Sequence, residues 1–449
     1  MGIAACFPVS EPGGGSFAAV SFSPHETASP AAPSFSPEPT RTPSPTAAPT
    51  QEPFIPKTVE EAIARYEAVP LDYVELDRED VPPNRPLLEP RYTLGEDGIY
   101  HSSDSTGSGE AVIIMTGDLM CQTRQQEAAR TETDYDFNAS FDFVRDFFST
   151  ADLLVGNLEA TVTPTSPYMA EIIKVENYPH LNAPVTFLEA MRYAGYDLAI
   201  MANNHNCDTG VRGVYDTLDR VDEYGLVHTG LFRDPAEPRH LVMDVEGIRV
   251  GYLCYATYFN NKEYHYNQEG QDALLSIYSK ERFERDMAAV RAAGAEYVIV
   301  YMHWGLEYQT EPYHKQYKWA QEIADAGADY IVGSHPHAIQ PYDVLTAADG
   351  RSVPVVYSLG NFISHQKKNI SKDTAILRIV LKRGEDGGVR LAEEGYLPAH
   401  CFVTFLGRPY AVVPITSPYN GGHSSKRFAP AYERITAIIG DKLPVLGTP

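Results

Sequence analysis

An α/β fold is what this chain of 449 residues predicts, and three observations carry the expectation. Apolar strand-like runs alternate with helical patterns. Polar residues of metal-binding type stand where those runs end. The composition, 43% hydrophobic and 21% charged, is that of a globular protein and excludes collagen-like, coiled-coil or wholly disordered chains.

The elements follow in order from the N-terminus. Ile3-Ala4-Ala5-Cys6 places small residues before a cysteine, as the end of a bacterial lipoprotein signal does. Residues 7 to about 55 are dominated by Pro, Ser, Ala, Thr and Gly with almost no apolar period, so a disordered tether is expected over 1–56, reaching on the order of 40 Å. A lipid on Cys6 would then hold an extracytoplasmic protein at the bacterial cell surface; the alternative is an intracellular protein with a disordered arm. Residues 57–110 are expected to form a helix, with Val59, Ala62, Ile63 and Tyr66 on one face, and a polar linker.

The main domain is expected over 111–399. Ala111–Met115 is apolar throughout, as a strand buried on both faces must be. Strands at 152–156, 198–202, 249–255, 297–302 and 330–333 alternate with helices at 185–194, 211–223, 280–293 and about 316–326. After His337 the pattern predicts strands only, at 339–345, 353–357, 375–381 and 389–396, and then a C-terminal extension over 400–449 packed on the domain. The apolar runs are far shorter than the roughly 20 residues of a membrane-spanning helix.

Sixty acidic residues against thirty-six basic ones leave a formal charge of -24, which repels a nucleic-acid backbone and argues against nucleic-acid partners. A polyanionic substrate would need local counter-charge, and a bound divalent metal is the usual source in an acidic protein. The five cysteines (6, 121, 207, 254 and 401) are scattered and include no C-x-x-C pair, so neither a disulfide framework nor a thiolate zinc site is expected.

The chemistry gathers at strand ends. Asp118 follows the first strand, Glu159 the second, Asn203-Asn204-His205 the third, His303 a later one, and His335 and His337 the last of the alternating series. Ligand sites in open α/β sheets lie outside the carboxyl ends of strands, so residues far apart in sequence can meet there. Singly, each has an ordinary structural explanation as a turn, cap or surface residue. Together, imidazole, carboxylate and amide oxygen suit divalent zinc, manganese or iron. His205, left off the metal, is the candidate to protonate a leaving group. Pro336 is expected to hold the backbone between His335 and His337 extended, and Asp208 to cap the helix after it.

These motifs, G-D-L-M at Gly117, N-L-E at Asn157, N-N-H-N-C-D-T-G at Asn203, H-W-G-L-E at His303, G-S-H-P-H-A-I-Q at Gly333 and Y-S-L-G-N-F at Tyr357, resemble the CapA family of poly-gamma-glutamate capsule biosynthesis proteins, a branch of the calcineurin-like metallophosphoesterases. The resemblance covers about residues 110–365. It implies a four-layer α-β-β-α sandwich with two metal ions along one edge: Asp118 and His337 on one, Asn204, His303 and His335 on the other, Glu159 bridging and His205 catalytic. The first motif departs from the superfamily's Asp-x-His, reading Asp118-Leu119-Met120, and Glu159 replaces a bridging aspartate. The implied function is a metal-dependent hydrolase acting on a surface polymer, such as polyglutamate, or its precursor, in company with capsule biosynthesis machinery. A non-catalytic assembly or polymer-binding component with a retired metal site, and an ordinary metallophosphodiesterase, are the alternatives. Arg212, Lys367 and Lys368 are candidates to meet a polymer's charge, although such cations are ordinarily solvated surface.

Overall fold

The computed structural model describes residues 52–71, 89–164, 180–423 and 425–449; Cys6 and nearly all of the expected tether lie outside them. Residues 53–449 form one unit. It opens with α1 (Val59–Tyr66), β1 (Tyr92–Leu94), β2 (Tyr100–Ser102), β3 (Glu110–Leu119), α2 (Thr123–Ala129), α3 (Arg145–Phe148) and β4 (Leu153–Leu158). Next come α4 (Thr186–Ala194), β5 (Leu198–Ile200), α5 (Gly210–Glu223), β6 (Val227–Thr229), β7 (Leu241–Val245), β8 (Ile248–Ala256), α6 (Gln268–Leu274) and α7 (Lys280–Ala292). The rest is β9 (Tyr297–His303), α8 (His314–Asp325), β10 (Tyr330–Ser334), β11 (Ile339–Thr346), β12 (Ser352–Leu359), β13 (Asn361–Ile363), β14 (Asp373–Arg383), β15 (Val389–Phe405), β16 (Arg408–Pro414) and α9 (Ser425–Ile439).

Two sheets result. One runs β1-β2-β7-β8-β9-β10-β12-β11, the other β16-β15-β14-β3-β4-β5-β6, with β13 also paired to β3. Strands β3 to β6 are mutually parallel, as are β8, β9, β10 and β12. Successive side chains of a strand point to opposite faces, and here both faces are buried. Ile113 and Met115 enter the layer between the sheets while Ile114 packs on the helical side; Leu153 and Val155 do the same around Leu154. In the other sheet Ile299 and Tyr301 face the inter-sheet layer, and Val298, Val300 and Met302 face α7 and α8. The layers are therefore helices, sheet, sheet, helices, the four-layer sandwich that the resemblance implies.

Helix ends are set locally. Ser279 caps α7 by accepting from the Arg282 N–H, and α4 stops at Gly195, whose φ of 102° only glycine adopts cheaply. Two other glycines allow close backbone approach beside the strand ends: a Cβ at Gly117 would strike the Gly360 carbonyl, and one at Gly333 the Tyr357 carbonyl.

In the segment 57–110 the expected helix is α1, whose Ala62 and Tyr66 enter the helical-side core; residues 72–88 lie outside the described residues, and β1 and β2 after them extend a sheet. Two expectations about organisation are corrected. The division at 399/400 falls inside β15, and β16 continues that sheet. Helices also do not stop at His337. Phe428, Ala431, Ile435 and Ile439 of α9 close one end of the inter-sheet layer, despite Pro430 within the helix. No helix among the described residues is long and apolar enough to cross a membrane.

Candidate metal centre

The carboxyl ends of β3, β4 and β5 in one sheet and of β9 and β10 in the other meet at a single edge. Asp118, Glu159, Asn204, His205, His303, His335 and His337 all lie there, each at most 4% exposed. Ligand atoms of Asp118, Glu159 and His337 fall within 4.8 Å of one another. Beside them His303 Nε2 stands 2.8 Å from Asn204 Oδ1 and 3.2 Å from His335 Nδ1. Glu159 lies between the two groups: its Oε1 is 3.6 Å from His303 Nε2, 3.8 Å from His337 Nε2 and 3.9 Å from His205 Nε2.

Glu159 tests whether a cation fits. Both its carboxylate oxygens are buried and without a hydrogen-bond partner. Burial first, then the charges of Asp118 and Glu307, push its carboxyl well above the ordinary range. Burying an unpaired carboxylate is costly, and a metal ion inverts that cost. Two of the imidazoles are shifted down: burial and then His335 and His337 hold His303 well below its usual value, and burial, His337 and His205 push His335 down to about 3. His337 goes the other way, because the Asp118 hydrogen bond at 3.2 Å and its charge outweigh burial. Buried carboxylates facing imidazoles and an amide oxygen make a donor set suited to a divalent cation.

The backbone is bent to bring the histidines in. His335 and His337 have φ of 95° and 51°, so the extended course expected around Pro336 is not what the chain adopts. Such conformations cost of order 1–3 kcal/mol each and persist where surrounding structure enforces them. Met120, in place of a first-motif histidine, is buried with its sulfur 3.9 Å from Gln366 Nε2.

A family model described as bacterial capsule synthesis protein PGA_cap matches residues 112–366, over half of the chain and every residue of this centre. The chain belongs to the PGA_cap family. It is 31% identical over 282 residues to the capsule biosynthesis protein CapA of Bacillus anthracis, covering 60% of this chain and 64% of that protein. It is 27% identical over 289 residues to the PGA biosynthesis protein CapA of Bacillus subtilis strain 168, covering 64% and 70%. It thus spans just under two thirds of the length of the Bacillus anthracis relative. Among solved structures it is similar to the calcineurin-like phosphoesterase YfkN of Bacillus subtilis, with a TM-score of 0.40, 14% identity and coverage of 73% and 98%. It is also similar to a 5'-nucleotidase precursor of Thermus thermophilus, with a TM-score of 0.41, 12% identity and coverage of 73% and 58%.

In this PGA_cap chain several supporting residues escape sequence reasoning. Asp208 does not cap α5, whose N-cap is Thr209 without a side-chain bond. Its carboxylate instead accepts from His205 Nδ1 at 2.6 Å, Lys262 Nζ at 2.8 Å and the Leu181 N–H at 2.6 Å. Burial pushes that carboxyl up, but His205 and Lys262 outweigh it and leave it at about 2. The residues Thr257–Lys262 after β8 brace the centre from one side: the Thr257 N–H donates to the His303 carbonyl, and Asn260 Oδ1 accepts from Asn204 Nδ2 at 3.1 Å. Asn260 and Asn261 have φ of 55°, which Asn tolerates better than most residues. Asn157 donates to Asp118 at 2.8 Å, Ser334 Oγ lies 2.9 Å from His303 Nδ1, and Asn361 Oδ1 lies 2.8 Å from His337 Nδ1. Asn157, Ser334 and Asn361 all lie inside the quoted motifs, whereas Lys262 and Asn260 lie in none. His180 has Nδ1 2.8 Å from the Asp208 carbonyl. Arg212 pairs with Glu60 on α1 at 3.3 Å.

Proposed function

We propose that this PGA_cap chain is a metal-dependent hydrolase that cleaves an extracytoplasmic capsule polymer, polyglutamate, or its precursor, while tethered by a lipid on Cys6. The observation that carries the reading is the His205–Asp208 pair. A buried histidine kept only for packing needs no ionised partner 2.6 Å from Nδ1, and this one turns Nε2 toward Glu159. Two divalent ions, one on Asp118 and His337, the other on Asn204, His303 and His335, with Glu159 between them, would supply a water ionised near neutral pH.

The chain's own residues do the rest. Asp208 fixes His205 with its Nδ1 proton directed inward, so Nε2 is the atom that exchanges a proton with the substrate. Lys262 and the Leu181 N–H hold Asp208 in place. Asn157, Ser334 and Asn361 fix the orientation of Asp118, His303 and His337, as partners of metal ligands ordinarily do.

The test is metal content by elemental analysis together with turnover of phosphodiester and gamma-glutamyl reporters. His205→Gln should retain metal and fold while turnover falls about 10²- to 10⁴-fold. Full turnover in that variant sinks the mechanism. Met120, in place of a nitrogen donor, favours a second reading, an assembly component whose centre binds without cleaving; metal-dependent stability with no turnover of any reporter would establish it.

A further inference from the structure

Beyond His400, β15 is no longer paired to β14 and continues with β16 alone, as a hairpin over residues 401–412. Because β14 runs antiparallel to β3 and β15 antiparallel to β14, this hairpin leaves the sheet at the edge where β3 delivers Asp118. Phe402 and Phe405 anchor it: their rings are 5.1 Å apart and lie 6.0 and 6.1 Å from that of Phe428 on α9. The tip is the two-residue turn Leu406-Gly407, with φ of 48° and 78° between the paired residues Phe405 and Arg408.

Positive φ at both central positions marks a type I′ turn, which asparagine or glycine fills readily and leucine only under strain. Leu406 stands there 60% exposed, and Val403 of the same hairpin is 48% exposed. Tyr410, also in the hairpin, has φ of 45°. A tip that met only water would gain from asparagine on both counts, conformation and solvation, so the leucine points to an apolar contact.

Cations collar this tip in a chain whose net charge is -24. Arg408 closes the turn, and the Arg427 guanidinium lies 4.9 and 4.6 Å over the Phe402 and Phe405 rings. The Cys401 N–H donates to the Lys372 carbonyl at 2.8 Å. Tyr410 OH lies 2.8 Å from Nδ1 of His365, whose pKa is lowered by burial and then by Lys367, Arg124 and Lys372. Arg408 is paired with Asp142 and Arg124 with Glu127, whereas Arg427, Lys367 and Lys372 belong to no ion pair among the described residues.

We propose that the β15–β16 hairpin docks on an anionic lipid surface, Leu406 and Val403 entering the boundary between headgroups and acyl chains while Arg408, Arg427 and Lys372 meet headgroup phosphates. An apolar tip inside a collar of Lys and Arg is stabilised by both layers of such an interface. A dissolved polyanion would meet the cations and leave the leucine in water, and a pocket on a protein would take the leucine without the collar. Docked in this way, the hairpin turns the metal edge toward the lipid. The contact depends neither on hydrolysis nor on a lipid at Cys6.

The test uses the full chain carrying Cys6→Ser, so that no attached lipid contributes, sedimented with vesicles of phosphatidylcholine alone or mixed with phosphatidylglycerol. This parent should bind the mixed vesicles, more weakly at high salt, and the neutral ones poorly. Leu406→Asn, which suits the turn, should weaken binding about tenfold with a melting temperature no lower than the parent's, and Arg427→Gln should weaken it about fivefold. The fluorescence of Leu406→Trp should be quenched by brominated acyl chains; that of the parent, whose Trp304 and Trp319 belong to the helical side of the other sheet, should not. No binding to mixed vesicles, unaltered binding of Leu406→Asn, or an unquenched Leu406→Trp overturns the proposal. Binding that polyphosphate abolishes and Leu406→Asn retains would mark a site for soluble polyanions instead. Self-association lost in Leu406→Asn, with no vesicle binding, would mark an interface between copies of the chain and likewise overturn it.

Discussion

Glu159 and Asp373 are both carboxylates sealed from water, at 0% and 1% exposure, and their surroundings are opposite. Asp373, at the head of β14, accepts from Arg434 at 2.8 and 2.9 Å, and His400 Nδ1 lies 2.7 Å from it. Arg434 belongs to α9, so this cluster fastens the C-terminal helix to the sheet. Glu159 has no hydrogen-bond partner on either oxygen. The difference separates a buried charge completed by the chain, which holds structure, from one that no side chain or backbone group completes.

Breaking the completed charge should have the largest effect. Asp373→Ala leaves Arg434 and His400 without their anion and should cost about 3–5 kcal/mol in urea unfolding; a loss under about 1 kcal/mol would mean that the cluster fastens nothing. Completing the incomplete one comes next. Zinc or manganese at about a thousand times its dissociation constant should stabilise the wild type by about 4 kcal/mol, and Glu159→Gln should lose that gain while being no less stable than wild type without metal. Equal metal stabilisation of Glu159→Gln in thermal melts would show that Glu159 holds no ion.

Asp208 sharpens the comparison, since it is buried, ionised and satisfied beside the centre. Its folded pKa of about 2 lies below the ordinary 3.8, so its stabilisation is present above pH 3.8 and disappears as pH falls through about 2. Asp208→Asn should remove about 2 kcal/mol at pH 7 and flatten the stability profile between pH 2 and 5; an unchanged profile would deny the pair its charge. The smallest effect belongs to Asn260→Gly, which keeps the positive φ but releases Asn204. Metal affinity measured by competition with a chelator should fall about tenfold with little change in unfolding. Unchanged affinity would leave Asn260 a turn residue only.

The long parallel strands were legible because burial on both faces makes them continuous apolar runs, and β9 and β10 end within a residue of where their runs do. The three-residue strands β1, β2 and β6 were not, since so short a segment carries no period and forms only because a neighbouring edge is there to pair with. Helix α9 was hidden by Pro430, although Phe428, Ala431, Ile435 and Ile439 keep helical spacing. In the candidate site, strand-end position singled out Asp118, Glu159, Asn204, His205, His303, His335 and His337. Nothing in the sequence paired Asp208 with Lys262, fifty-four residues away, and Asp208 before a helix reads locally as a cap.

By itself the sequence determined the α/β alternation and which polar residues stand at strand ends, because apolar period and local chain reversal are properties of short segments. Which of those residues face one another, and that Glu159 has no hydrogen-bond partner while Asp373 has two, were decided only in the tertiary structure. Such pairings depend on the packing of two sheets whose edges the chain supplies from positions more than 200 residues apart.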